Sequence, residues 1–256
     1  MTLTIKKIKD KKINNPILLE GLPGMGNVGK ITVDFIIQTL EADKVYEIYS
    51  DNFPSCVFLN EEGIAELPKI EIYHKKTKGN KDILMLTGDV QPSDERGCYE
   101  FCETVLELFK KYKGKEIITL GGIGMKDAVK NPKVYYTGTS KESLKKYKLE
   151  NVKQPLGLIG PIVGVSGLLL GLGKKKGIDG TIFLVETSVN PAHLGIKEAK
   201  ELLAILNKIL KLGLNMNSIN KEVNTLDREI KKKLDNAEGL KEETKKSKKE
   251  SINYIG

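Results

Sequence analysis

The sequence predicts an α/β protein whose largely parallel sheet is covered by helices on both faces. Between residues 17 and 212, short apolar runs alternate with segments of helical periodicity, which is typical of layered α/β domains. The apolar runs end in loops that contain glycine, as expected for parallel strands that are buried on both sides. With 256 residues, 39% of them hydrophobic and 30% charged, the chain can bury one sizeable core.

Each predicted element follows from its local pattern. Short apolar runs predict strands at Ile17–Glu20, Lys44–Tyr49, Ile70–Tyr73, Ile83–Thr87, Ile117–Leu120 and Thr181–Val185. Apolar residues three or four positions apart predict helices at about Val28–Leu40, Asp94–Tyr112, Val163–Gly171 and Lys197–Leu212. Residues 135–151 predict a strand, a Ser/Thr cap and a short helix. Gly213 marks the end of the last helix, so we predict an α/β domain over residues 1–214.

Composition argues against several classes of protein. The N-terminus lacks the continuous apolar core of a signal peptide, and the chain has no run of about 18 apolar residues for a membrane span. We therefore expect a cytoplasmic protein with no membrane partner. The net charge of +8 raises nucleic acid as a partner, but the chain has no Trp and only two arginines, Arg96 and Arg228. Arginine is the preferred residue for phosphate and base contacts, so we predict no nucleic-acid partner.

The cysteines and histidines do not predict a metal site. Cys98 and Cys102 are four residues apart and would share a helix face, but zinc needs two further ligands. The only histidines, His74 and His193, are far away in the sequence. We predict that the two thiols are buried and structural.

A glycine-rich turn follows the first predicted strand, and two nucleotide-binding fingerprints overlap in it. The P-loop match over Gly24–Lys30 fails because Ile31 stands where a Ser or Thr hydroxyl should hold magnesium. The dinucleotide pattern requires an acidic residue at the end of a second strand, and Asp51 has that spacing. Pro23, however, stiffens the turn. We interpret the turn as structural and predict no cofactor, with nucleotide binding as the alternative.

No catalytic set can be assembled from the sequence. His193 has no serine or cysteine nucleophile signature near it, and Ser166 lacks the second glycine of a nucleophile elbow. Asp89 follows a strand, where α/β proteins place active groups, but an aspartate there more often caps the next turn. We therefore predict no catalytic residues and a protein that is not an enzyme.

The chain changes character after residue 214. From Met216 to Leu240, apolar residues alternate at spacings of three and four, interrupted at Lys233, and this predicts an amphipathic helix of coiled-coil type over residues 215–240. Such a helix packs either on its own domain or against another subunit, and the spacing fits both. Residues 241–250 have no apolar side chain, so residues 241–256 are predicted to form a flexible tail whose tip is apolar again.

Four glycine-containing segments, taken in order, resemble the archaeal proteasome assembly chaperone family. They are EGLPGMGNVGK, TGDVQPSDERGCYEF, TLGGIGM and GPIVGVSGLLLGLG, and the resemblance covers about residues 10–212. The resemblance implies a three-layer α/β/α sandwich similar to that of nucleoside phosphorylases and related hydrolases, without a shared active site. It also implies a proteasome assembly chaperone or a proteasome-binding protein. We expect this protein to be a homo-oligomer, because the apolar stripe from Met216 to Leu240 has the period that fits a partner helix.

The resemblance also assigns the partner-binding residues. Family members that engage the proteasome end with a hydrophobic residue, a tyrosine and any residue, which dock between subunits of the core-particle α-ring. In this chain the tyrosine is third from the end, after an asparagine. The expected partner is therefore the α-ring or another protein, contacted through Ile252, Tyr254, Ile255 and Gly256. The alternatives are a phosphorylase-like or nucleotide-binding enzyme that uses Gly24–Lys30, and a structural oligomeric scaffold.

Overall fold

The structure is a computed structural model that describes residues 3–60, 62–77, 81–126, 129–147, 152–154, 160–221, 223 and 225. Its strands are β1 (Leu3–Lys7), β2 (Ile17–Glu20), β3 (Asp43–Ser50), β4 (Phe58–Leu59), β5 (Ala65–Glu66), β6 (Ile70–Lys76), β7 (Asp82–Gly88), β8 (Glu116–Met125), β9 (Val134–Gly138), β10 (Val152–Lys153) and β11 (Asp179–Ser188). Its helices are α1 (Val28–Thr39), α2 (Glu95–Lys111), α3 (Lys141–Lys146), α4 (Val165–Lys175) and α5 (Ile196–Leu210), and a 3-10 turn covers Met25–Asn27.

The α/β sandwich predicted from the sequence is confirmed. The main sheet has nine strands in the order β1-β3-β6-β7-β2-β8-β11-β9-β10. Its centre, β7-β2-β8-β11, is parallel, whereas β1, β3 and β6 pair antiparallel on one side and β9 pairs antiparallel with β11 on the other. β6 and β7 are antiparallel because only residues 77–81 join them, a connection too short for the helical crossover that parallel neighbours need.

Helices cover both faces of the parallel centre. On one face, α2 packs against α4, and their apolar side chains, including Phe101 and Leu169, form one core cluster with Leu18 of β2. On the other face, α1 packs against α5 and contacts β7 and β8. Adjacent residues of a strand point to opposite faces, so both sides of the fully buried β2 are used. This explains why the first three residues of β2 are all apolar, without alternation.

Most element boundaries agree with the sequence-based prediction to within two residues. Helix α2 begins at Glu95, because the side chain of Asp94 accepts a hydrogen bond from the backbone N–H of Gly97 at 2.6 Å. Helix α4 begins at Val165 and extends to Lys175, further than predicted. Helix α5 ends at Leu210, and its cap residue Lys211 is left-handed with φ 52°; Gly213, predicted to mark the helix end, lies two residues further on and has φ 73°.

The chain divides into two compact units, Met1–Leu214 and Asn215–Gly256. In the second unit, residues 216–221, 223 and 225 are helical, and the Ile219 N–H donates to the carbonyl of Asn215 at 3.1 Å. The rest of the predicted amphipathic helix and the predicted tail lie outside the described residues. Among the described helices, none combines the length and the apolar character that crossing a membrane requires.

Candidate functional site

The carboxyl edge of the sheet, where β7, β2, β8 and β11 end, contains a cleft of about 360 Å³. One wall is the glycine turn after β2, the opposite wall is the segment that precedes α4, and the backbone of Gly121 and Gly122 lies between them. The described lining residues carry no charge: Leu22, Gly24, Met25, Val28, Gly29, Gln91, Leu120, Gly121, Gly122, Ile123, Pro161, Ile162, Val163, Ser166 and Leu184. Open α/β sheets commonly bind ligands outside the carboxyl ends of their strands, so this cleft is the candidate small-molecule site.

The glycines of the turn bring α1 close to the sheet. A Cβ atom on Gly29 would lie 2.8 Å from the carbonyl oxygen of Leu120 in β8, so only glycine permits this approach of helix to strand. Gly26 has φ 61°, and Asn27 is also left-handed with φ 53°, a region that glycine and asparagine tolerate best. Close packing and backbone conformation therefore explain why glycine occupies these positions, without a bound phosphate.

Lys30, the lysine of the P-loop match, and Thr32, the hydroxyl nearest to it in the sequence, both bind partners within the protein. Lys30 Nζ lies 2.8 Å from Asp34 Oδ2 within the same helix, and Thr87 donates to the other oxygen of that carboxylate at 2.6 Å. The Thr32 hydroxyl is buried and donates to the carbonyl of Val28 at 2.7 Å. Neither the amine nor the hydroxyl lines the cleft.

The acidic residue of the dinucleotide pattern is not brought to the turn. Asp51 follows β3, and β6 and β7 separate β3 from β2. Three strand spacings amount to about 14 Å. In a dinucleotide fold the acidic residue ends the strand adjacent to the glycine turn, so the two parts of the fingerprint do not form one site here.

Gln91 connects the two walls of the cleft. Its Nε2 donates to the carbonyl of Pro23 in the glycine turn at 2.5 Å, and its Oε1 accepts from the backbone N–H of Val165 at 3.0 Å. Because Val165 is the first residue of α4, Gln91 satisfies a helix N–H that has no partner within the helix. One amide thus fixes the width of the cleft mouth.

Glu20 is the unusual polar group behind this cleft. It is fully buried, and its Oε1 accepts from the Ser166 hydroxyl and from the Leu22 N–H, each at 3.1 Å. Burial in an apolar surrounding raises the pKa of Glu20 from its ordinary value of 4.5 to about 7, and these hydrogen bonds offset only part of that effect. Within the described part of the chain, Glu20 Oε2 and the neighbouring Thr119 Oγ1 are buried without a hydrogen-bond partner. Ser166 is the member of this cluster that reaches the cleft.

The sequence signal for Glu20 was weak. A glutamate that ends an apolar strand looks like the polar end of that strand, and only its pairing with β8 places it inside the protein. The glutamate that directly follows the three apolar residues Ile17–Leu19 is the one indication that the sequence offers.

The other polar residues singled out in the sequence have structural partners. Asp89 Oδ2 accepts from the backbone N–H of Lys69 at 3.2 Å, which ties the end of β7 to the start of β6. His193 Nε2 lies 2.7 Å from Glu198 Oε1, a buried carboxylate of the first turn of α5. The Thr187 hydroxyl donates to the same oxygen at 3.1 Å. This cluster fixes the start of α5 against the end of β11.

The cysteines agree in part with the prediction of buried thiols. Cys102 is buried and Cys98 is half-buried, and burial raises the pKa of both thiols, so neither is an activated nucleophile. Among the described residues, no group of three or more His, Cys, Asp or Glu side chains could hold a metal ion. The predicted partner-binding residues Ile252, Tyr254, Ile255 and Gly256 lie outside the described residues.

A comparison with known families decides the assignment. The PAC2 family model matches residues 18–234, most of the chain. The chain belongs to the PAC2 family. An uncharacterized protein of Methanocaldococcus jannaschii is 30% identical to this PAC2 chain over 257 residues, which cover 98% of this chain and 96% of that protein.

Two solved structures extend this result. The crystal structure of Pyrococcus furiosus PbaB, an archaeal proteasome activator, matches with a TM-score of 0.81 and 32% identity over 90% of this chain and 98% of PbaB. Pyrococcus furiosus PbaA, an archaeal homolog of proteasome-assembly chaperone, has the same fold, with a TM-score of 0.76 and 23% identity over 99% of both chains. The resemblance to archaeal proteasome assembly chaperones that the glycine segments predicted is thus confirmed for this PAC2 protein.

Proposed function

We propose that this chain is a non-enzymatic, homo-oligomeric protein of the cytoplasm that acts on the proteasome as an assembly chaperone or an activator. The observation that carries the proposal is the match to the proteasome activator PbaB, at 32% identity over nearly the whole of that chain. The described residues of the cleft lining carry no charge, and the one hydroxyl among them, that of Ser166, donates to the buried carboxyl group of Glu20.

The proposed contact is the C-terminal tail, with Ile252, Tyr254, Ile255 and Gly256 as the binding residues. Residues 241–250 are polar throughout, and apolar residues return only at the tip, as in a short linear motif held on a tether. The partner is the α-ring of the proteasome core particle. Because an oligomer presents several tails at once, avidity strengthens contacts that are individually weak.

The test is binding of the full chain to the α-ring of the organism that encodes it, measured by interferometry. A chain that lacks its last five residues should lose binding, whereas a chain with Lys248→Ala and Lys249→Ala, in the polar part of the same tail, should retain it. Equal binding by all three forms would remove the tail from the mechanism. No binding by the full chain would contradict the proteasome role itself.

One observation favours a second candidate function, a small-molecule site in the cleft. The buried, unpartnered oxygens of Glu20 and Thr119 lie behind Ser166 within the described part of the chain, and unsatisfied buried polar groups call for an explanation. A bound water would satisfy them as well as a ligand would. Calorimetric titration with nucleosides and nucleotides, in wild type and Ser166→Ala, distinguishes these two explanations.

A further inference from the structure

The amino edge of the sheet, at the opposite end from the cleft, contains a cavity of about 490 Å³. Its polar lining residues are three lysines, two asparagines and two acidic residues, and all of them belong to the described part of the chain. The three lysines, Lys76, Lys81 and Lys115, are exposed. The cavity therefore differs in charge from the cleft, whose described lining residues carry none.

Both acidic residues of the cavity are already bound by other groups of the protein. Asp82 is buried, and its Oδ1 lies 2.8 Å from Nε2 of His74, which is also buried. Glu116 Oε2 lies 2.5 Å from Lys146 Nζ, and Glu116 Oε1 accepts from the Tyr147 hydroxyl. Each carboxylate thus has its own partner, and neither one neutralises the three lysines of the lining.

The three lysines of the cavity have no internal counter-charge. None of the ammonium groups of Lys76, Lys81 and Lys115 forms an ion pair with a residue that the structure describes. Other lysines do form such pairs, as Lys44 does with Glu71 at 2.5 Å. A concave site with several unpaired charges of one sign raises the local concentration of oppositely charged ligands. The ligand that fits this cavity is therefore an anion.

The donors of the cavity form a row across the strand ends. Lys76 is the last residue of β6, Lys81 directly precedes β7, and Lys115 directly precedes β8. Asn14 and Asn15 lie before β2, which is between β7 and β8 in the sheet order. With about 4.8 Å between neighbouring strands, the row is about 14 Å long from its first lysine to its last. Such a row matches a linear ligand better than a compact one.

The two asparagines of the row are held in place by their backbone. The Asn14 N–H donates to Asp82 Oδ2 at 3.0 Å, and the Asn15 N–H donates to the carbonyl of Tyr112 at 2.9 Å. Asn15 is left-handed with φ 47°, a conformation that asparagine tolerates. Both residues are exposed, and an amide side chain can donate and accept hydrogen bonds. The two amides therefore suit a ligand with both donors and acceptors, as a peptide backbone has.

We propose that this row binds an extended acidic segment of another protein. Side chains on one side of an extended peptide recur about every 6.7 Å, so three carboxylates at alternate positions span about 13 Å, close to the length of the row. Lysine supplies point charges, whereas the planar fork of arginine suits phosphate, and no arginine is among the described lining residues. A carboxylate-rich peptide thus fits these donors better than a phosphate chain. The site is distinct from the proposed tail contact and does not depend on it.

The test uses the full-length chain and a fluorescently labelled heptapeptide of alternating aspartate and serine, with fluorescence anisotropy as the readout. We expect saturable binding that weakens as the salt concentration rises, because salt screens exposed charges. Lys81→Gln with Lys115→Gln should weaken binding about fivefold or more, since two exposed ion pairs are lost. The control, Lys126→Gln with Lys130→Gln, removes the same charge at the carboxyl edge, where both lysines are exposed. It should leave the affinity nearly unchanged.

Three further results bear on the proposal. A heptapeptide with asparagine in place of aspartate should not bind, and equal binding of the two peptides would overturn the charge recognition. Absence of binding by the wild-type chain, or an equal loss in the control variant, would overturn the site. Displacement of the labelled peptide by inorganic tripolyphosphate at a lower concentration than by the unlabelled peptide would assign the row to phosphate chains and overturn the acidic peptide.

Discussion

Glu20 and Thr119 are register partners on the adjacent parallel strands β2 and β8, and each keeps one buried side-chain oxygen without a partner in the described part of the chain. Both residues face α4, where Ser166 donates to Glu20 at 3.1 Å. A carboxyl group in this position is more easily neutral than charged. The stability of the fold should therefore depend on pH in a way that this one residue explains.

The first prediction concerns Glu20→Gln. The pKa of Glu20 is raised to about 7 in the folded chain against 4.5, so the folded state binds more protons between these values. The favourable contribution of Glu20 to the free energy of unfolding is fully present below pH 4.5 and is lost as the pH rises to about 7. Relative to wild type, the variant should gain about 3 kcal/mol in free energy of unfolding between pH 4.5 and pH 8. Urea titrations at several pH values measure this difference, with exposed Glu62→Gln as the control. A difference that is constant with pH would contradict the prediction.

The second prediction concerns two helical glycines. In Gly29→Ala the new methyl group would lie 2.8 Å from the Leu120 oxygen, so we expect a loss of about 1–3 kcal/mol in stability from overpacking. In Gly171→Ala, on α4, nothing lies within 4 Å of the new atom, and helix propensity alone should stabilise by up to about 1 kcal/mol. Denaturant unfolding of both variants measures the contrast. Changes of the same sign would refute the packing role assigned to Gly29.

The third prediction is that the glycine turn does not bind nucleotides tightly. Ile31 replaces the magnesium-binding hydroxyl, and Lys30 is paired with Asp34 at 2.8 Å. Calorimetry with ATP, GTP, NAD and NADP in the presence of magnesium should show no affinity tighter than millimolar. A micromolar affinity that Lys30→Ala abolishes would revive the enzyme alternative.

The fourth prediction concerns the C-terminal tyrosine. If the ring of Tyr254 anchors the tail in a pocket of the α-ring, Tyr254→Ala should weaken binding by about 1–3 kcal/mol, in the range of an interfacial aromatic hot spot. Asn253→Ala, next to it, should be nearly neutral. Interferometry with the immobilised α-ring compares the two variants. Equal affinities would show that the tyrosine is not the anchor.

The helices and central strands could be predicted because their signals are local. Asp94 before an apolar-periodic segment predicts the start of α2, and the structure places the cap on that residue. The order of the strands in the sheet could not be predicted from the sequence, because β2 lies between strands that are distant from it along the chain. Single-sequence patterns do not specify such partners.

The hairpin formed by β4 and β5 was missed for a different reason. Its strands, Phe58–Leu59 and Ala65–Glu66, have two residues each and do not belong to the main sheet. Their side chains show no burial alternation, and a period of two is what identifies a strand in sequence. The tail residues, in contrast, were assigned through family resemblance, and they stay a prediction.

The central position of β2 has a consequence for biosynthesis. Its partners, β7 and β8, begin at Asp82 and Glu116, so Ile17–Glu20 must wait for about 100 further residues before both neighbours exist. At 5–20 residues per second this delay is about 5–20 s. During that time the nascent chain exposes an unpaired apolar strand, the kind of segment that aggregates or recruits holdases. A protein proposed to assist assembly therefore itself passes through a stage of translation in which it is vulnerable.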